Sequence, residues 1–230
     1  SSSLVGSEMC IRDRMKIAVM AFSGGMDSTS LLLRLLREGN EVYTIGFNYG
    51  QKHIIELTRA QSNIDYLTEK GYNVTNSVVD LSSIMSTFSG SLTSNEKVPE
   101  GHYEESQMKS TVVPNRNAIF ASIIYGYALS LSNKLNSKVS ISLGVHSGDH
   151  AIYPDCRPEF YQKLNDAFDI GNWDSDKVEL NLPYIDGDKT TILQDAIISC
   201  EQLHLDFDFV FANTNTCLLY TSPSPRDSMT

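Results

Sequence analysis

Apolar positions along this chain follow two alternating rhythms, one of strands and one of helices. Residues 15–36 (MKIAVMAFSGGMDSTSLLLRLL) open with the run Ile17 to Phe22 and close with Leu31, Leu32, Leu35 and Leu36 at helical spacing. A short continuous apolar run ending in a glycine turn suits a buried strand, and the later recurrence suits an amphipathic helix. The stretch predicts strand, tight loop, helix. The same alternation then repeats: a strand over 41–47 (EVYTIGF), a helix over 53–70 with Ile54, Leu57, Ile64 and Leu67 on its inner face, and a strand over 72–81. Residues 82–110 are polar and punctuated by Gly and Pro, which predicts a long loop serving as an active-site flap or left disordered. Beyond it the pattern predicts a helix over 118–135, a strand over 138–145, a loop over 146–158 and a helix over 159–168. A fifth strand over 177–182, a last helix over 190–203 and a short extended piece over 208–211 complete it. Strands alternating with helices imply right-handed crossovers and a parallel sheet covered on both faces, so the expected class is a single doubly wound α/β domain.

The two ends do not share these rhythms. Residues 1–14 (SSSLVGSEMCIRDR) have no periodicity and are too polar for a signal peptide, and residues 218–230 (LLYTSPSPRDSMT) are rich in Ser, Thr and Pro. Both resemble translated sequencing adaptors, and the domain is expected to span 15–217, with the ends non-native or disordered. The formal net charge of -10 argues against direct binding to nucleic acid or an anionic membrane, and no apolar run has the length of a membrane span. Four scattered cysteines, Cys10, Cys156, Cys200 and Cys217, form no CxxC pair, which excludes a written-out disulfide framework or complete zinc site and favours a reducing, cytoplasmic setting.

The first loop carries the chemistry. Ser23-Gly24-Gly25-Met26-Asp27-Ser28 follows a strand and opens a helix, where unpaired backbone N–H groups and two glycines allow an anion close approach. Phosphate is the natural guest. The spacing is neither GxxxxGK[ST] nor GxGxxG, so P-loop NTPases and Rossmann dehydrogenases lose support. It resembles the SGGxDS loop of the N-type ATP pyrophosphatases, in which serines and glycines grip the ATP phosphates and the aspartate, here Asp27, sits near Mg²⁺. The plain alternative is a turn with Asp27 as an N-cap.

Three further stretches, FNYGQKH at 47–53, VPNRN at 113–117 and GVHSGDHAIYPDCRPEF at 144–160, closely resemble the 7-cyano-7-deazaguanine synthase family. The resemblance implies an ATP-dependent ligase that activates the carboxylate of 7-carboxy-7-deazaguanine, forms an amide with ammonia and dehydrates it to the nitrile. It also implies site residues. Phe22, Ser23, Gly24, Gly25, Met26, Asp27 and Ser28 would hold ATP, with Lys189, and more weakly Lys52, as phosphate candidates that taken alone are solvated lysines. Arg116 would grip phosphate or the substrate carboxylate, or else pair with a nearby acid. Tyr49, Gln51, Asp149 and Tyr153 would recognise the base. Asp155 and Arg157 would join Asp27 and Arg116 in catalysis, or form a mutual ion pair that shapes their loop. His146 and His150 are four apart, but their turn-rich surroundings argue against a metal pair. Cys156 reads as a small buried thiol, and the aromatic residues of 119–129 read as core.

The family carries a structural zinc site near its C-terminus. Here only Cys217, in NTNTC at 213–217, approaches that pattern, and one thiolate is not expected to hold zinc. A homodimer is implied by the resemblance. Competing expectations are another ammonia-dependent synthetase of the superfamily, such as an NAD synthetase, a tRNA-modifying thiolase or lysidine ligase, and a non-catalytic adenine-nucleotide-binding domain.

Overall fold

The computed structural model describes residues 16–50, 55–88, 113–149 and 153–214. Its strands are β1 (Lys16–Ala21), β2 (Asn40–Asn48), β3 (Val74–Asp80), β4 (Val139–Ser142) and β5 (Val178–Asn181). They form one sheet in the order β3-β2-β1-β4-β5, parallel at every pairing. The helices are α1 (Met26–Arg37), α2 (Ile55–Glu69), α3 (Ser82–Met85), α4 (Arg116–Leu135), α5 (Pro158–Gly171), α6 (Lys189–Gln202) and α7 (Phe207–Ala212). The expected doubly wound α/β class is the observed one. None of the helices among the described residues is long and apolar enough to cross a membrane.

The period-two side-chain alternation of β1 explains both layers. Ala18 and Met20 join Leu31, Leu32 and Leu35 of α1, Ile64 of α2 and Ile192 of α6 in one apolar cluster. Ile17 and Val19 face the other way, toward Ile124 and Ala128 of α4, Tyr161 of α5 and Ile141 of β4. A strand covered on both faces has no polar side to show, which is why it reads as an unbroken apolar run. The helix that follows β1 covers one face and the helix that leads into β4 covers the other. Between these neighbouring strands the connections diverge, leaving a crevice at their carboxyl ends.

Most elements form where the periodicity places them, with boundaries displaced by up to three residues. Three expectations are corrected. The loop expected from 82 begins instead with the helical turn α3, because the Asp80 carboxylate accepts the Ser82 N–H at 2.8 Å and Met85 is fully buried. Residues 89–112 lie outside the described residues. The helix expected from 118 starts at Arg116, since Asn115 takes the left-handed conformation (φ 58) and turns the chain into α4 two residues earlier. The piece expected to be extended at 208–211 is helical. FDFVF alternates like a strand, but the Asp206 side chain caps the helix by accepting the Phe209 N–H at 3.1 Å. Phe207 then stacks on Phe211 with ring centroids 4.3 Å apart, an i,i+4 contact that only a helix supplies.

One polar cluster pins α6 against α1. The Tyr184 hydroxyl donates to Asp195 Oδ2 at 2.7 Å, and Arg37 Nη2 meets Asp195 Oδ1 at 2.8 Å. Burial first, and then the Asp195 carboxylate, push the Tyr184 phenol above its ordinary pKa of 10.0. The unfolded chain therefore releases this proton before the folded chain does, and the stability present below pH 10 falls as pH rises past it. Tyr184→Phe should lower stability at pH 7 by about 1–2 kcal/mol and flatten the alkaline loss, read from urea unfolding at stepped pH. Parallel pH profiles for the variant and the parent chain would refute this account.

Candidate active site

At the exit of β1 the backbone N–H of Phe22 donates to the Ile45 carbonyl at 2.9 Å, and the Phe22 side chain, 2% exposed, belongs to the core under α1. The chain then turns through Gly24, whose φ of 75 lies in the left-handed region where a side chain would be strained. Gly25, in extended conformation, occupies the N-cap of α1 without a side-chain capping bond. Asp27 is thus not the cap. It sits inside the first turn of the helix, as an acidic residue there should for the helix dipole. The loop is braced by its own serines: Ser23 Oγ accepts the Gly25 N–H at 3.3 Å and lies 3.1 Å from Ser28 Oγ, which can also donate to the Gly25 carbonyl at 3.1 Å.

The first turn of α4 forms the opposite wall. It carries Arg116 and no acidic residue, and Asn115 at its N-cap makes no side-chain capping bond. A cation at the positive end of a helix is electrostatically unfavourable alone, so this corner is complementary to an anion. The Arg116 guanidinium lies 5.9 Å from the Tyr49 ring centroid, and its Nε donates to Asn117 Oδ1 at 3.4 Å. Behind it Phe120 stacks on Phe47 at 4.0 Å between centroids and lies 5.7 Å from Tyr49. The third wall is the exit of β4. At Gly144 a Cβ would stand 3.4 Å from the Asp27 carbonyl oxygen, so this backbone passes directly against the first turn of α1.

These walls enclose a cavity of about 320 Å³ at the crevice between β1 and β4, lined by Ser23, Asp27, Ser28, Arg116, Phe120 and Cys156 among others. A larger open groove of about 650 Å³ follows edge strand β5, with Lys138, Asp166, Asp176 and Glu179 among its residues. It touches none of the loop residues, and the cavity between β1 and β4 is the chemically equipped one.

Ser23, Asp27, Ser28 and Arg116 are therefore brought together, with Tyr49 stacked beside Arg116. Gly24, Gly25 and Met26 supply the loop backbone and helix start. Other expected residues fall elsewhere. Phe22 can offer only its backbone. Tyr153 precedes the turn Pro154–Cys156 that contains Asp155, and Arg157 is exposed at the N-cap of α5, beside the cavity residue Cys156 but not lining the cavity. Lys189 opens α6, whose cap Asp188 accepts the Thr191 N–H at 2.8 Å, which holds the Asp188 carboxyl below its usual range. Asp149 closes the turn Ser147–Asp149, and Gln51, Lys52, His150 and Cys217 lie outside the described residues. Cys156 is half-buried on the cavity rather than in the core, 3.8 Å from Asn117 Nδ2, and Phe120 is both core and cavity wall. Asn117, Phe120 and the buried His146, whose Nε2 is 3.6 Å from Asp27 Oδ2, were not expected as site residues. Asn117 and Phe120 follow Arg116 by one and four positions on the helix, a spacing that becomes legible once α4 is seen to start at Arg116.

Magnesium fits this site in one respect: Asp27 Oδ1 is buried without a hydrogen-bond partner among the described residues. Mg²⁺ takes one or two carboxylates and completes its shell with phosphate oxygens and water, so Asp27 with a nucleotide suffices. Among the described residues no group of three or more His, Cys, Asp or Glu could hold a metal, and Cys217, the one expected zinc ligand, lies outside them.

An all-parallel sheet in this order, with helices on both faces and a glycine loop at its first turn, defines a doubly wound α/β protein. A 4-thiouridine synthetase, solved in complex with RNA and with bound ATP, shares the fold at a TM-score of 0.51 and 14% identity, over 91% of this chain and 46% of that one. The family described as queuosine biosynthesis protein QueC matches residues 17–225, and the chain belongs to it. The 7-cyano-7-deazaguanine synthase of Pseudoalteromonas translucida is 48% identical over 180 residues, 78% of this chain and 77% of the relative. The 7-cyano-7-deazaguanine synthase 1 of Colwellia psychrerythraea is 45% identical over 86% of this chain and 83% of the relative.

The two described cysteines differ in a measurable way. Burial, reinforced by Asp206, pushes the Cys200 thiol up to about 11, and its side chain is 1% exposed. In the native chain Cys156 should react with iodoacetamide at least about tenfold faster than Cys200, as read by peptide mass spectrometry. Equal rates would mean that the cavity is closed to solvent or that α6 is loosely packed.

Proposed function

We infer that this chain is an ATP-dependent carbon–nitrogen ligase that converts 7-carboxy-7-deazaguanine and ammonia to 7-cyano-7-deazaguanine, a reaction of queuosine biosynthesis. The observation that carries this reading is that the glycine loop with Asp27 and the guanidinium of Arg116 share one cavity, in a chain of this family. ATP phosphates rest on the start of α1, where the Gly24 and Gly25 backbone and the Ser23 and Ser28 hydroxyls meet them. Asp27 would hold the magnesium, which would neutralise phosphate charge.

Carboxylate oxygen is a poor leaving group, so ATP activates it. Ammonia then attacks the carbonyl carbon, a C–N bond forms and the activated oxygen departs. A second activation, now of the amide oxygen, drives its loss to the nitrile. Neither step needs a protein nucleophile, and Cys156 is a wall rather than a reagent. The chain supplies position and charge. Arg116, held by Tyr49 and the start of α4, presents paired N–H donors to the carboxylate and to the oxyanion that forms from it. Phe120 gives the deazapurine an apolar face. Tyr153, Asp149 and Gln51 read its polar edge, and Asp155, Arg157 and Lys189 are further charged candidates outside the cavity lining. The product is a free base, so no direct nucleic-acid contact is required, and the setting is cytoplasmic. A homodimer would cover apolar side chains such as Ile170 and Trp173, which are 88% and 94% exposed.

The full chain incubated with ATP, Mg²⁺, ammonium and 7-carboxy-7-deazaguanine should yield amide and then nitrile by mass spectrometry. Arg116→Ala should lower kcat/KM by about 100- to 1000-fold with the circular dichroism spectrum unchanged. ATP binding without amide or nitrile would remove the substrate assignment and leave only a nucleotide site.

A further inference from the structure

His146 follows the exit of β4, is 1% exposed, and has no part in the reaction just described. Its surroundings are built around the imidazole. The Gly148 N–H donates to Nδ1 at 3.1 Å, which leaves Nε2 as the protonated nitrogen of the neutral ring. A Cβ at position 148 would stand 2.9 Å from Cε1 and 3.0 Å from Nδ1 of the same ring, so a side chain there would displace the imidazole. Ser147, between them, is tied to the Gly187 carbonyl through both its N–H and its hydroxyl. The ring is thus fixed in place and in tautomer. Its Nε2 lies 3.6 Å from Asp27 Oδ2, while Asp27 Oδ1 is buried with no hydrogen-bond partner among the described residues.

We infer that His146 is a positioning residue that acts through Asp27. Its Nε2–H faces Oδ2 while Oδ1 is turned inward, so the ring sets the rotation in which the Asp27 carboxylate meets the magnesium of bound ATP. The 3.6 Å separation is long for a hydrogen bond, and it closes when the carboxylate turns to the ion. Groups that orient a metal ligand from behind in this way are worth about 10- to 100-fold in metal affinity. The inference rests on the reading of the glycine loop as an ATP–magnesium site.

The test is calorimetric binding of ATP to the full chain, with Mg²⁺ and with EDTA. His146→Leu, close in volume but without a donor, should weaken ATP binding about tenfold or more in Mg²⁺ and leave binding in EDTA unchanged. His146→Gln, which keeps an N–H near the Nε2 position, should recover most of the metal benefit. Gly148→Ala should reproduce the leucine variant by displacing the ring, and keeps the inference testable if His146→Leu fails to fold. In an Asp27→Asn background, His146→Leu should cost nothing further. Equal losses with and without metal, no loss at all, or a loss that persists beside Asp27→Asn would overturn the inference. A parent chain that binds ATP equally in Mg²⁺ and EDTA would overturn the magnesium site itself, a failure distinct from the others.

Discussion

An α-helix begins with backbone N–H groups that no carbonyl of its own can satisfy. In this protein two such beginnings, those of α1 and α4, open on the same crevice, and neither has a side-chain capping bond among the described residues. The positive ends of two helices and the Arg116 guanidinium leave the cavity wanting negative charge. Among the described residues Asp27 is the one carboxylate that lines it, and one of its oxygens has no hydrogen-bond partner. A ligand that brings both anion and metal, as a nucleotide with magnesium does, answers both needs at once.

The sheet order puts these helix starts together. With β1 central and β4 at its side, the connections before and after them run to opposite faces, and the loops that leave them face each other across the gap. Gly144 permits the closest approach, bringing the β4 exit against the backbone of Asp27. The distant Tyr184–Asp195–Arg37 cluster acts on the same geometry from behind, fixing α6 on the flank of α1 and so fixing the axis along which α1 points.

Much of this was legible in the residues. The unbroken run of β1, the leucines of α1 and the SGGMDS loop between them state strand, turn and helix without help from distant contacts. The order of the strands is another matter, since β4 lies beside β1 only because of long-range packing that periodicity does not encode. Residues 208–211 misled because FDFVF alternates like a strand, and the capping side chain of Asp206 settles the matter locally. The residues marked Arg116 as a candidate for phosphate or carboxylate, but its place at a helix start depends on the left-handed turn at Asn115. His146 carried no signal of its role, because its partner Asp27 is more than a hundred residues away and its other supports are the missing side chain of Gly148 and a backbone N–H.

The central claim, that one cavity between β1 and β4 receives the ATP phosphates on two helix starts, is tested most directly by a crystal structure with Mg²⁺ and a non-hydrolysable ATP analogue. The account predicts phosphate oxygens on the Gly24 and Gly25 backbone and on Ser28, the metal on Asp27, and the Arg116 guanidinium facing the reactive phosphate. Phosphates bound along the β5 groove, or bound in the cavity with Arg116 turned away, would contradict it.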